Sequence, residues 1–171
     1  MGKVSRDENR RPIILWVEDD PSVSLLRFIP EEIAEKEAAL KAATGVRQLA
    51  SILNEIDENG DLGRIKGIIL DIMIPGTPDL AVFKRPDVKL GRRGEETGMK
   101  LLEYVFRNKD ENNAFRALNN VPNLVLTIKP TTYQSDFDED KYDGKIRLVR
   151  KFDRFSKWES EVKRWIADRT G

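Results

Sequence analysis

The chain has 171 residues, with 30 Lys plus Arg balanced by 30 Asp plus Glu. One compact domain is therefore expected, with no global basic field to hold nucleic acid or an anionic membrane. It contains neither cysteine nor histidine, which excludes disulfide scaffolds, thiolate and imidazole metal ligation, cysteine nucleophiles and histidine acid–base catalysis within the chain.

Chemistry then falls to carboxylates, hydroxyls, lysine, arginine and the backbone, for which hard cations such as Mg2+ are the natural cofactors. In chain order, residues 1–11 are polar and basic, unlike a secretory signal, and are expected to form a disordered arm. Ile13-Ile14-Leu15-Trp16-Val17 is a continuous apolar run, the pattern of a strand covered on both faces. It stops at Glu18-Asp19-Asp20-Pro21. Pro21 suits a first helical turn, and Val23, Leu25, Leu26 and Ile29 give that helix an apolar face that Pro30 ends or kinks. Residues 31–43 are ambiguous: 31–36 read as helix, whereas Ala38, Leu40 and Ala42 alternate as in a half-buried strand made of poor strand formers. Val46, Leu49, Ile52, Leu53 and Ile56 mark a helix that Asn59-Gly60 terminates.

A second strong strand, Gly67 to Leu70, runs into Asp71-Ile72-Met73-Ile74-Pro75-Gly76. The stretch 77–97, rich in Pro, Gly and basic residues, reads as an inserted loop. Gly98 leads into a helix carrying Leu101, Leu102, Val105 and Phe106. A strand at Leu124-Val125-Leu126 stops at Thr127, and a polar, acidic stretch without clear periodicity follows from 129 to 144. A further strand, Ile146 to Val149, reaches Lys151, and a last helix uses Trp158, Val162, Trp165 and Ile166. Strands alternating with helices imply a doubly wound parallel sheet. No apolar run approaches the roughly 20 residues a membrane helix needs, so a cytoplasmic protein is expected.

In an open parallel sheet, ligands bind beyond the carboxyl ends of the strands. Glu18-Asp19-Asp20, Asp71, Thr127 and Lys151 all stand at such ends. If those strands are neighbours, the carboxylates crowd one another unless a cation sits among them. A Mg2+ ion would relieve that crowding and clamp a phosphoryl oxygen. Asp71 would then be a carboxylate nucleophile, with the Thr127 hydroxyl and the Lys151 ammonium stabilising the phosphoryl group.

Ile14-Leu15-Trp16-Val17-Glu18-Asp19-Asp20-Pro21 and Ile69-Leu70-Asp71-Ile72-Met73-Ile74-Pro75-Gly76 resemble the two acidic motifs of response-regulator receiver domains. Leu126-Thr127 and Lys151-Phe152-Asp153 resemble that family's switch-hydroxyl and lysine motifs. The motifs follow the family's order over roughly residues 12–168. The resemblance implies a five-stranded, flavodoxin-like parallel sheet flanked by helices, the fourth helix degenerate, with the domain spanning 12–171. It implies Asp71 as phosphoacceptor, Asp19 as direct Mg2+ (or Mn2+) ligand, Glu18 acting through metal-bound water, and the Met73 backbone carbonyl completing the protein ligands. The phosphoryl donor would be a phosphohistidine on a histidine kinase or phosphotransfer protein. The chain departs from the family in a turn after Gly76 that is about twenty residues longer than usual. It departs again at Ile128, where a small residue is usual, at Leu148 in place of an aromatic residue, and at Phe152 in place of proline.

Blander readings stand beside these. Asp19 and Asp20 are good helix caps, and threonine is common at strand ends. Lys151 shares its stretch with Arg147, Arg150 and Arg154. Asp136-Phe137-Asp138-Glu139-Asp140 fails as a calcium loop, with Lys141 in the glycine position and Arg147 where the final glutamate belongs. The basic group Lys84, Arg85, Lys89, Arg92 and Arg93 is a solvated loop, an acidic-partner surface or a cover for Asp71. The tryptophans Trp16, Trp158 and Trp165 read as core. The leading expectation is a stand-alone receiver with output by protein contact, at most self-phosphorylating from small donors and dephosphorylating itself. The alternatives are a phosphorylation-independent binding module and a Mg2+-dependent phosphohydrolase. The last is disfavoured because Met73 stands where a second aspartate would act as acid–base.

Overall fold

A computed structural model describes residues 11–20, 38–128, 145–151 and 158–171. Its centre is a five-stranded sheet built from β1 (Ile13–Val17), β2 (Ala39–Ala43), β3 (Ile65–Asp71), β6 (Asn123–Thr127) and β7 (Ile146–Arg150). The order is β2-β1-β3-β6-β7 and every pairing is parallel. That is the 2-1-3-4-5 order of flavodoxin-like doubly wound sheets, in which the switch point lies between the first and third strands. The expected fold class is the one observed.

The apolar runs work because both faces are covered. Ile13, Leu15 and Val17 of β1 point into the larger core with Ile68 and Leu70, under α1 (Val46–Glu58) and the chain from Thr97 to Phe106. Ile14 and Trp16 point the other way, with Ile69, Leu124 and Leu126, under α3 (Trp158–Thr170). Trp165 of α3 lies so close over β3 that a Cβ on Gly67 would fall 2.6 Å from its ring. All three tryptophans are buried, as their reading as core required.

Local signals explain the element ends. At the start of α1, Gln48 accepts from both the backbone N–H and the hydroxyl of Thr44, tying the residue before Gly45 to the first turn. Gly60, at φ 72°, turns the chain after its last turn. The alternation at 38–42 is a strand despite its alanines: β2 pairs along all five residues with β1, so tertiary pairing overrides weak intrinsic preference.

Two expectations need correction. The stretch 77–97 is no irregular loop but carries an antiparallel hairpin, β4 (Asp79–Leu80) with β5 (Arg85–Lys89), joined by a 3-10 turn at Ala81–Phe83. Leu80 and Val88 are buried in the larger core. The helix after Gly98 is short, α2 (Thr97–Leu101), and widens into a π turn at Leu102–Phe106. A 3-10 turn at Arg116–Asn120, which carries no periodic signal, precedes β6. The expected arm up to residue 10, the helix after Pro21, the 31–36 segment, the 129–144 stretch with the degenerate fourth helix, and Phe152 to Arg154 lie outside the described residues. Among the described residues, no helix is long and apolar enough to cross a membrane.

Candidate functional site

Three backbone hydrogen bonds carry the sheet one residue past its strands. Glu18 N–H donates to Ala43 O (3.0 Å), Ile72 N–H to Leu126 O (3.3 Å) and Lys151 N–H to Thr127 O (2.8 Å). Because β1, β3, β6 and β7 are consecutive strands of the sheet, these bonds bring residues far apart in sequence to one edge of it. The condition left open by the sequence, that the strand ends meet, is satisfied.

The Lys151 ammonium lies 2.7 Å from Asp71 Oδ2 and 3.0 and 3.1 Å from the two oxygens of Glu18. All three side chains are buried, at 6% exposure for Asp71 and 7% each for Glu18 and Lys151. Asp19 is exposed, yet one of its oxygens lies within 4.8 Å of oxygens of Glu18 and Asp71. Lys151, rather than its exposed neighbours Arg147 and Arg150, therefore reaches the carboxylates.

A cavity of about 230 Å³ opens over this group, lined also by Asp20, Met73 and Ile128. Ile128 is 48% exposed at its mouth, so the bulk noted in the sequence stands beside the site. Thr127 is buried at the end of β6, and its carbonyl holds the Lys151 backbone. It is not part of the cavity wall, unlike Ile128 after it. Leu148 is half-buried against the larger core. None of Lys84, Arg85, Lys89, Arg92 and Arg93 lines the cavity, so the basic residues of the hairpin do not cover Asp71. Two of them are engaged locally, Arg85 with Asp87 at 2.8 Å and Lys89 with Asp79 at 3.3 Å.

The electrostatics follow from the crowding. Burial, reinforced by the neighbouring Asp71, pushes the Glu18 carboxyl up to about 8 against the pull of Lys151. Asp19 is also raised, by burial first and then by Asp71. Burial would lower the Lys151 ammonium, but Asp71 and Glu18 outweigh it and the group is raised. One ammonium faces three carboxylates, a deficit of positive charge that a divalent cation would make good. The donor set fits such an ion: hard carboxylate oxygens close together, two of them buried, with no nitrogen or sulfur ligand among them.

Two glycines shape the backbone beneath Asp71: Gly98, read from the sequence as the entry to a helix, and Gly94, which lies within the stretch read as an inserted loop. A Cβ on Gly98 would fall 2.1 Å from the Asp71 carbonyl oxygen, and the Gly98 N–H donates to Ile72 O at 2.9 Å. Gly94, at φ 67°, accepts at its carbonyl from Ile74 N–H (3.0 Å), and a Cβ there would meet Ile74 O at 2.2 Å. The sequence signal was a glycine just before an apolar helical run that follows the Asp71 strand.

No family model matches the chain, and no curated protein matches it. Among solved structures it is similar to the receiver domain of the Francisella response regulator 1452, at 16% identity and a TM-score of 0.49 over 92% of this chain and 95% of that one. It is also similar to a bacteriophytochrome response regulator (17%, TM-score 0.48, covering 91% and 77%). A third is the N-terminal domain of a response regulator receiver protein from Methanoculleus marisnigri JR1 (20%, TM-score 0.45, covering 91% and 94%). These likenesses are of chain path, and at these identities and scores they carry nothing about chemistry.

Proposed function

We propose that this protein is a cytoplasmic receiver that accepts a phosphoryl group on Asp71 from a phosphohistidine of a histidine kinase or phosphotransfer protein. The observation that carries the reading is a buried lysine 2.7 Å from Asp71 beside an acidic group that could hold a cation. An oxygen of Asp71 forms a bond to phosphorus as the donor's P–N bond breaks, and the electron pair stays on the leaving imidazole, which takes up a proton. Lys151 moves from pairing a carboxylate to pairing the new phosphoryl oxygens, and the Thr127 hydroxyl, buried beside the cavity at the end of β6, would have to turn toward it to donate to them. Asp19, Glu18 acting through water, Asp71 and the Met73 carbonyl would hold Mg2+ (or Mn2+), which when bound supplies charge neutralisation at the phosphoryl oxygens. Output is by protein contact.

The test is labelling by acetyl phosphate. Labelling that requires Mg2+ and disappears in Asp71→Asn supports the reading, and labelling that survives in that variant overturns it. One observation favours a second reading, a binding module that signals without phosphorylation: Ile128 lines the cavity beside Asp71, at a position where a small residue is usual. An unlabelled wild type that still binds a partner would select it.

A further inference from the structure

The hairpin creates a second cavity of about 260 Å³ that shares no lining residue with the carboxylate site. It lies between the tip of the hairpin, the π turn and the loop before residue 116. We infer that this cavity binds a small planar aromatic monoanion, taken up as a free molecule.

Its floor is aromatic. Phe83 of the hairpin and Phe115 meet edge to face, with ring centroids 5.9 Å apart. Tyr104 of the π turn forms another wall, with the Arg85 guanidinium 4.6 Å from its ring centroid. That guanidinium is also bound to both oxygens of Asp87, at 3.0 and 2.8 Å, so it is a fixed part of the wall. The loop side is built in advance as well. Asn113 donates to the carbonyls of Val105 and Asn108, both at 2.9 Å, and accepts from Phe115 N–H at 3.1 Å. Preformed apolar walls with a few placed polar groups are the usual make-up of a small-molecule site.

The charge comes from Lys84. It lines the cavity and is exposed, and among the described residues its ammonium has no hydrogen-bond or ion-pair partner. Its backbone is left-handed, at φ 60°, where glycine or asparagine is the cheaper residue. An ammonium stands where a turn-former would be expected. Asp110 also lines the cavity, its Oδ1 accepting from the backbone and side chain of Asn112, and its charge disfavours a second negative group on the ligand. The volume is below the roughly 300 Å³ at which drug-sized sites begin, which fits one or two fused rings.

The experiment is a 15N NMR titration of the full chain with benzoate, 4-hydroxybenzoate and indole-3-acetate, using benzamide as the neutral control. Saturable shifts confined to residues 82–85 and 104–115 are expected for at least one carboxylate. Lys84→Asn keeps a residue that tolerates the left-handed turn while removing the charge. It should weaken the carboxylates about tenfold and leave benzamide unchanged. The inference is overturned by an absence of saturable shifts, by shifts centred elsewhere, or by carboxylate affinities unchanged in Lys84→Asn. Neither acetyl phosphate labelling nor its loss bears on this result.

Discussion

Lys151 holds two buried carboxylates, and its removal tests what that pairing contributes. Lys151→Met keeps most of the volume but leaves Glu18 and Asp71 without their cation. Breaking a buried pair by removing one partner typically costs about 3–5 kcal/mol. The expected loss in denaturant unfolding is of that order near pH 9. It should be smaller near pH about 6, where the already raised Glu18 is protonated and no longer needs a partner. A loss independent of pH would show that the charge on Glu18 contributes nothing to the pairing. Its role was only partly legible in the sequence, because three arginines share its stretch and a strand end does not reveal which long side chain turns inward.

At the scale of elements, the junction of β3 with α2 is the tightest place near the site. Gly98→Ala puts a Cβ against the Asp71 carbonyl, backbone against backbone, so neither partner can yield cheaply. Overpacking of this kind costs about 1–3 kcal/mol, and the displaced Asp71 should also be labelled more slowly per folded molecule. Gly67→Ala meets the Trp165 ring on the opposite face instead. It should lower stability by a similar amount without slowing labelling, as unfolding and labelling measured on the same samples would show. The hairpin gives a further prediction: Leu80→Ala should cost about 2–4 kcal/mol, since Leu80 is fully buried. A solvated loop residue would cost close to nothing. The strand runs of β1, β3, β6 and β7 were legible because both faces are apolar, whereas the hairpin was not. Leu80 opens the short apolar run Leu80-Ala81-Val82-Phe83 and Val88 stands between Asp87 and Lys89, and nothing local distinguishes the buried Leu80 from the exposed Val82. The π turn was equally hidden, since Leu101, Leu102, Val105 and Phe106 read as ordinary helix.

For the whole molecule, the raised Glu18 couples stability to pH and to cations. Its folded value of about 8 lies above the ordinary 4.5, so the folded state binds more protons than the unfolded one between those values. Stability from this group is therefore complete below pH about 4.5 and is lost as pH rises through about 8. A divalent ion needs the carboxylate ionised, so Mg2+ should raise the melting temperature little near pH 6 and more near pH 9, with proton release on binding near pH 7. Calorimetry in buffers of different ionisation enthalpy measures that release. An Mg2+ stabilisation that shrinks toward high pH would contradict the linkage. The alternation of strands and helices, and the polar residues at the strand ends, were readable from patterning, but whether those ends converge was left open and the direct bond between Lys151 and Glu18 was not foreseen. The sequence suggested only that Glu18 faces water on a metal, and pairing across 133 positions leaves no local trace.

The chemical identity of the labelled residue is the most direct test. Borohydride reduces an aspartyl phosphate to homoserine, so protein labelled with acetyl phosphate, reduced and sequenced by mass spectrometry marks the acceptor. Homoserine at position 71 alone is the predicted result. Homoserine at another position, or a phosphate that resists reduction as a hydroxyl ester would, contradicts it.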